Sequence, residues 1–215
     1  HDVSWEKPRA VLLDAYRFPG EFGQPSSSSA LSGGSGLFVR SFSPMSIEGW
    51  ILESSAGDRL SLVAPRVAAV EEATLLRILE AARLAPSANN RQESRFVVVR
   101  DPETREALKE AAHGQSFVAE APVVVVACAE TDERVMSSGF RADVVDVTIA
   151  MEHVALAATA EGLGTCWIGA FDQEPVRRAI GAPDSGPIVH LMTLGYPADG
   201  PRLKSRLPLE ILYMP

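Results

Sequence analysis

The sequence is poor in the residues that usually hold metals or form disulfides. It contains two cysteines, Cys128 and Cys166, which form no C-x-x-C pair, and four scattered histidines. No H-E-x-x-H motif occurs, so we expect no metal ion held by the protein. We interpret both cysteines as small buried apolar residues, which fits a reducing cytoplasm.

Long hydrophobic runs and an excess of positive charge are also missing. The longest apolar stretch, residues 144–160, is interrupted by Asp146, Glu152 and His153 and is shorter than the roughly 20 residues that a bilayer requires. The 20 Lys and Arg are outnumbered by 28 Asp and Glu, for a formal net charge of -8. Because nucleic-acid binding needs a basic face, we expect no nucleic-acid partner. Because the longest apolar stretch is too short to span a bilayer, we expect no membrane partner. A small anionic ligand held by a few local cations is still possible.

The N-terminal residues differ in composition from the rest of the chain. Residues 25–36, PSSSSALSGGSG, have no apolar periodicity and are typical of a flexible linker or surface loop. We therefore predict an atypical N-terminal arm over residues 1–45 and one domain over residues 46–215. The first residues show no basic segment followed by an apolar run, so we expect no signal peptide and a cytoplasmic location.

From residue 71 onward, predicted helices and strands alternate. TLLRILEAARLA, residues 74–85, has apolar residues at helical spacing before Pro86, and Asp101 with Pro102 predicts the start of a helix over residues 103–112. The residues at 144–160 predict a helix that is apolar on nearly every side, as in a core or a subunit interface. The remaining predicted elements are strands at 96–99, 122–127, 165–168 and 188–194 and a helix at 173–180. This alternation favours a layered α+β fold.

Four segments carry residues suited to a phosphorylated planar cofactor, since cations bind phosphate, amides bind the edge of a heterocycle and glycine permits close approach. They are residues 59–61 (RLS), 86–92 (PSANNRQ), 162–171 (GLGTCWIGAF) and 201–208 (PRLKSRLP). Three of these segments also have an ordinary explanation: Gly162 as a helix C-cap, the basic run as a solvated tail and the amide-rich turn as a polar loop. The glycine segment is not a dinucleotide fingerprint, because its third Gly is absent and it follows a helix.

In this order and spacing, the chain resembles the nitroreductase family of FMN-dependent oxidoreductases from about residue 59 onward. The matching blocks are ILEAARLAPSANNRQ (78–92), FVVVRDPETREAL (96–108), FVAEAPVVVVACAE (117–130), AEGLGTCWIGAFD (160–172) and LGYPADGPRLKSR (194–206). The resemblance implies an α+β sandwich with a central, mostly antiparallel sheet flanked by helices. It also implies a homodimer in which both subunits form each FMN site, with the helix over residues 144–160 in the dimer core.

The resemblance assigns the flavin phosphate to two basic segments. Arg59 and Ser61 match the family's R-x-S-x-R/K motif, which faces the phosphate and the ribityl chain, and Lys204 and Arg206 match a late basic pair on the phosphate. Val63 stands where the family usually has a second Arg or Lys. One cation of the expected site is therefore missing.

The resemblance assigns the flavin ring to two turns. Ser87, Asn90 and Gln92 match the S-x-x-N-x-Q turn, whose Asn bonds the polar edge of the ring and whose Ser lines the same pocket. The end of the strand at 165–168 and the turn after it are expected beside flavin N5. The residues expected to bind the cofactor there are Ile168, Gly169 and Ala170. The catalytic role is assigned to the backbone N–H groups of Gly169 and Ala170.

The activity implied by the resemblance is that of an NAD(P)H-dependent flavin oxidoreductase. FMN accepts a hydride at N5 from NADH or NADPH and passes electrons to a small-molecule acceptor. We expect ping-pong reduction of nitroaromatic or quinone-type acceptors. Two alternatives stay open: an FMN-dependent dehydrogenase or oxidase of a natural-product pathway, and a non-catalytic flavin-binding protein, which Val63 and the atypical N-terminus would suit.

Overall fold

A computed structural model describes residues 11–13, 69–130, 133–197 and 207–213. The described strands form one sheet in which all neighbouring pairs are antiparallel. They are β1 (Val11–Leu13), β2 (Ser94–Val99), β3 (Val123–Ala129), β4 (Gly164–Ile168) and β5 (Ile188–Gly195). Their order across the sheet is β1-β2-β3-β5-β4. The α+β class and the antiparallel sheet predicted from the sequence are confirmed.

Six helices accompany the sheet in the described part of the chain. They are α1 (Glu72–Arg83), α2 (Pro102–Ala111), α3 (Ser116–Glu120), α4 (Ala142–Ala160), α5 (Gln173–Ile180) and α6 (Leu209–Leu212). The sequence predicts α1, α2, α4 and α5 and the strands β2 to β5 within a few residues of these bounds. It does not predict α3, α6 or β1, which are too short to show a periodic pattern.

The sheet is covered by helices on both faces. All seven residues of β3 are buried, and because side chains alternate along a strand, successive residues enter different cores. Val123, Val125 and Ala127 pack with α1 and α4, whereas Val124 and Val126 pack with α2, α3 and α5. A strand buried on both faces explains the continuous apolar run PVVVVA in the sequence.

The ends of the helices follow local signals in the sequence. The Asp101 carboxylate accepts a hydrogen bond from the Thr104 backbone N–H at 2.8 Å, and Pro102 is the first residue of α2. At the end of α4, Gly162 has a φ of 75°, and its N–H donates to the Thr159 carbonyl at 3.0 Å. The interpretation of Gly162 as a helix C-cap is thus confirmed, and the glycine segment leads from a helix into β4.

Two sequence predictions need comment at the edges of the sheet. Cys128 is buried, as expected, but Cys166 is partly exposed, because it lies on β4, the last strand of the sheet, where fewer neighbours cover it. At the other edge, β1 falls within the predicted N-terminal arm and pairs with β2, with Val11 opposite Val98. The boundary between arm and domain stays a prediction. None of the described helices is long and apolar enough to cross a membrane.

Candidate functional site

Two of the predicted site segments lie at the same end of the sheet. Ser94 pairs with Ala129, and Ile168 pairs with Leu191, so β2 begins at the end where β4 finishes. The turn at residues 86–92 leads into β2, and Gly169 and Ala170 directly follow β4. Two strands, β3 and β5, lie between them. At the usual strand spacing, β2 and β4, the strands next to these segments, are about 14 Å apart across the sheet.

The turn at residues 86–92 has an unusual backbone. Ala88–Asn90 is a short 3₁₀ helix, and Asn89, Asn90 and Gln92 have φ values of 56°, 55° and 57°. Such values are uncommon outside glycine; Asn tolerates them better than Gln does. The Gln92 N–H donates to the Ser87 hydroxyl at 3.0 Å, and the Asn90 N–H donates to the Ser87 carbonyl at 2.9 Å. These bonds hold the turn in a form that leaves Asn90 exposed.

Asp146 of α4 supports this turn from the protein core. The Ala88 N–H donates to its carboxylate, with both oxygens 3.0 Å from the nitrogen, and Asp146 is 5% exposed. Burial raises the pKa of Asp146, while the bond from Ala88 and the charge of Arg134 act in the opposite direction. The sequence alone does not single out Asp146. The available signal was a carboxylate that interrupts an otherwise apolar helix.

A small pocket lies behind the turn, with a cavity volume of ≈ 30 Å³. Its lining includes Ser87, Gln92, Phe96 and Asp146. The volume suits a water molecule and is far too small for a planar heterocycle.

The second segment presents exposed main chain. Gly169 and Ala170 are exposed, and a methyl group added to Gly169 would meet no atom within 4 Å. The Gln115 side-chain amide donates to the Ala170 carbonyl at 3.2 Å and links this turn to the segment before α3. Ile168 is only 2% exposed and packs in the core. A contact from Ile168 to a ligand would have to come from its main chain.

An aromatic pair lies near this site, on β4 and β5. The rings of Trp167 and His190 are 5.0 Å apart and nearly perpendicular. His190 Nε2 is 3.2 Å from the Thr148 hydroxyl of α4. Burial lowers the pKa of His190.

The described residues offer few other reactive groups. Burial raises the pKa of the Cys128 thiol to about 12, so Cys128 is not a thiolate nucleophile at neutral pH. No cluster of His, Cys, Asp and Glu in the described ranges could hold a metal ion. The predicted phosphate contacts Arg59, Ser61, Lys204 and Arg206, and the departure at Val63, lie outside the described residues.

Comparison with known proteins identifies a family. The sequence model of the nitroreductase family matches residues 67–119 and 111–196. An NADH dehydrogenase of Thermus thermophilus is 36% identical over 189 residues, which cover 74% of this chain and 92% of that relative. An FMN reductase of Bacillus subtilis that uses NAD(P)H is 30% identical over 158 residues, covering 66% of this chain and 64% of the relative. The crystal structure of nitroreductase A from Vibrio parahaemolyticus superposes with a TM-score of 0.69 at 26% identity, covering 77% of this chain and 76% of the other.

Proposed function

Because the chain belongs to the nitroreductase family, we propose that it is an oxidoreductase that binds FMN and takes hydride from NADH or NADPH. The observation that carries this proposal is the turn at residues 86–92. Its internal hydrogen bonds hold Asn90 exposed at the same end of the sheet as the exposed main chain of Gly169. The similarity to an FMN reductase that uses NAD(P)H supports the choice of cofactor and reductant.

The donors at this end of the sheet fit a flavin. A flavin ring has a polar edge of carbonyl and N–H groups, and an exposed Asn side chain offers both a donor and an acceptor to such an edge. The open space beside Gly169 suits the close approach of a flat ring. In the proposed site, Asn90 holds the ring edge, and the N–H groups of Gly169 and Ala170 lie toward N5. Arg59, Ser61, Lys204 and Arg206 hold the ribityl phosphate.

A second copy of the chain would complete the site. The separation of about 14 Å between β2 and β4, the strands next to the two segments, supports a site in which each subunit supplies one of them. Apolar side chains without cover support the same proposal: on the outer side of α4, Val145 is 37% exposed and Ile149 and Leu156 are half-buried. Further exposed apolar side chains lie in and beside α6: Leu207, Leu209, Ile211, Leu212 and Tyr213. We propose a homodimer that covers both surfaces.

The chain's contribution to the reaction is binding and electrostatics. Bound FMN supplies the hydride chemistry. Backbone N–H groups directed at a developing negative charge stabilise it at no cost of reorganisation, and the main chain at Gly169 and Ala170 is placed for that role. The scheme requires no side-chain acid or base. We propose ping-pong reduction of nitroaromatic or quinone-type acceptors in the cytoplasm, a reducing compartment that suits a chain with two cysteines and no disulfide.

The test uses the purified full chain and its visible absorption spectrum. We expect a yellow protein that releases FMN on heating and loses its flavin absorbance when NADH or NADPH is added without oxygen. Adding a nitroaromatic or a quinone should then restore the absorbance. A colourless protein that does not bind added FMN would contradict the cofactor. A bound flavin that neither nucleotide reduces would contradict the NAD(P)H oxidoreductase.

A further inference from the structure

The main-chain N–H and carbonyl of Ala88 each contact a charged side chain. One charge is negative and buried, and the other is positive and half-buried. The N–H donates to both oxygens of Asp146 at 3.0 Å, and the carbonyl lies 3.5 Å from Arg134 Nη2. Asp146 is on α4, 58 residues further along the chain. The turn that follows α1 is thus bonded to α4 through the N–H of Ala88, the residue after Ser87.

This tie has a mechanical consequence for the turn. Three of its residues, Asn89, Asn90 and Gln92, have φ values between 55° and 57°, and strained backbone of this kind persists only where the surroundings hold it. The bonds from Ser87 act within the turn and preserve its shape. The bond from Ala88 to Asp146 acts between the turn and the core, so it fixes where Asn90 lies relative to the sheet.

From this geometry we infer that Asp146 is a positioning residue for the flavin ring: it fixes the turn that carries Asn90 and so strengthens flavin binding without touching the flavin. The inference rests on the proposed function, in which Asn90 contacts the ring edge. It predicts an effect on ring binding alone. The phosphate contacts proposed for Arg59, Lys204 and Arg206 should be unaffected.

The main test replaces Asp146 and measures flavin affinity on protein stripped of cofactor. Asp146→Leu removes the acceptor, and we expect FMN and riboflavin to bind about tenfold more weakly, the size of a lost charge-assisted hydrogen bond. Equal loss for the two flavins is expected because they share the ring and differ in the phosphate. Asp146→Asn keeps the shape and one acceptor oxygen, so its loss should be about threefold. FMN affinity equal to the parent's in both variants would overturn the inference.

A double-mutant cycle with Asn90→Ala separates positioning from a general loss of structure. If Asp146 acts through Asn90, Asp146→Leu should weaken flavin binding less than about twofold once Asn90 is already Ala. A tenfold loss that persists in the Asn90→Ala background would show that Asp146 acts elsewhere. Should Asp146→Leu fail to fold, the same cycle is made with Asp146→Asn.

A matched control and a flavin-free measurement complete the test. Asp101 also accepts a backbone N–H, at 2.8 Å, but at the start of α2, so Asp101→Ala should lower the thermal midpoint and leave flavin affinity unchanged. Hydrogen exchange of the Ala88 amide in the absence of flavin should be at least about tenfold faster in Asp146→Leu. A parent protein that binds neither flavin contradicts the proposed function, and the Ala88 amide still tests the contact. Unchanged exchange contradicts the positioning role alone.

Discussion

The residues of the S-x-x-N-x-Q turn bond to one another, which gives them a second role besides any contact with a ligand. The Asn90 N–H donates to the Ser87 carbonyl, the Gln92 N–H to the Ser87 hydroxyl, and Gln92 Nε2 to the Asn90 carbonyl at 3.3 Å. The motif therefore encodes the shape of the turn as well as its chemistry. Of its members, Asn90 is the exposed one and the best placed for a ligand.

His190 gives a prediction about pH. Burial lowers the pKa of His190 in the folded protein, so on acidification the unfolded chain takes up this proton before the folded chain does. The parent should therefore lose folding stability as the pH falls from about 8 to about 5. His190→Gln removes the titrating imidazole. The free energy of unfolding of the parent relative to that of the variant should therefore decline as the pH falls over this range.

The measurement is urea unfolding of both proteins at a series of pH values. Both retain His1, His113 and His153, so the difference between their unfolding free energies isolates His190. A difference that does not vary with pH would contradict the prediction. Burial causes the shift, and the Trp167 ring and the Thr148 hydroxyl are among the groups in contact with His190.

At the scale of elements, the sequence predicts what local signals encode. Pro86 after α1, Asp101 with Pro102 before α2, and Gly162 after α4 are all read within a few residues of the boundary that they set. The unusual turn between α1 and β2 is different. It has positive φ at Asn89, Asn90 and Gln92, and it contacts Asp146, 58 residues from Ala88, a contact that no local pattern reports.

The candidate site is predictable to a similar degree. The resemblance assigns Ser87, Asn90, Gly169 and Ala170, and the structure places the two turns that carry them at one end of the sheet. Asp146 was not assigned, because a carboxylate in an apolar helix gives no indication of the peptide that it contacts. The separation of about 14 Å between β2 and β4, next to the two turns, follows from strand order, which the sequence pattern does not contain.

Two aspartates at helix starts give a matched prediction about stability. Asp101 caps α2, and its carboxylate accepts from both the N–H and the hydroxyl of Thr104. Asp172 occupies the same position of α5 but makes no side-chain cap bond. We expect Asp101→Ala to lower the free energy of unfolding by about 1–2 kcal/mol and Asp172→Ala by about 0.5 kcal/mol or less. Urea midpoints at an unchanged m-value measure both, and equal losses would contradict the capping argument.

At the scale of the whole molecule, α4 links the core to the proposed partner subunit. Met151 and Val154 are fully buried against the sheet, while Val145, Ile149 and Leu156 lie on its outer side. A helix that is largely apolar on both sides, with the exposed Glu152 as the exception on its outer side, is stable only where both sides are covered. This arrangement explains why the apolar pattern of α4 shows no clear polar face.

The proposed homodimer is tested by placing a charge on this outer side. Ile149→Glu should shift the protein from dimer to monomer at micromolar concentration, because burying an unpaired carboxylate in an interface costs several kcal/mol. Sedimentation velocity measures the change, and flavin should be lost with the dimer. Ala107→Glu adds the same group to the exposed side of α2, across the sheet from α4, and should leave the dimer intact. A parent protein that sediments as a monomer with flavin bound would contradict the proposal.

The strand order also has a consequence for the chain during its synthesis. β5 lies between β3 and β4, although both precede it in the sequence. Until residues 188–195 leave the ribosome, β3 lacks one neighbour and β4 has no strand to pair with. The exposed edge of β3 carries VVVVACA, a segment of the kind that pairs with other chains when it is uncovered. A nascent chain paused before β5 is therefore the form of this protein most prone to aggregate, and chaperones should bind it most strongly at that length.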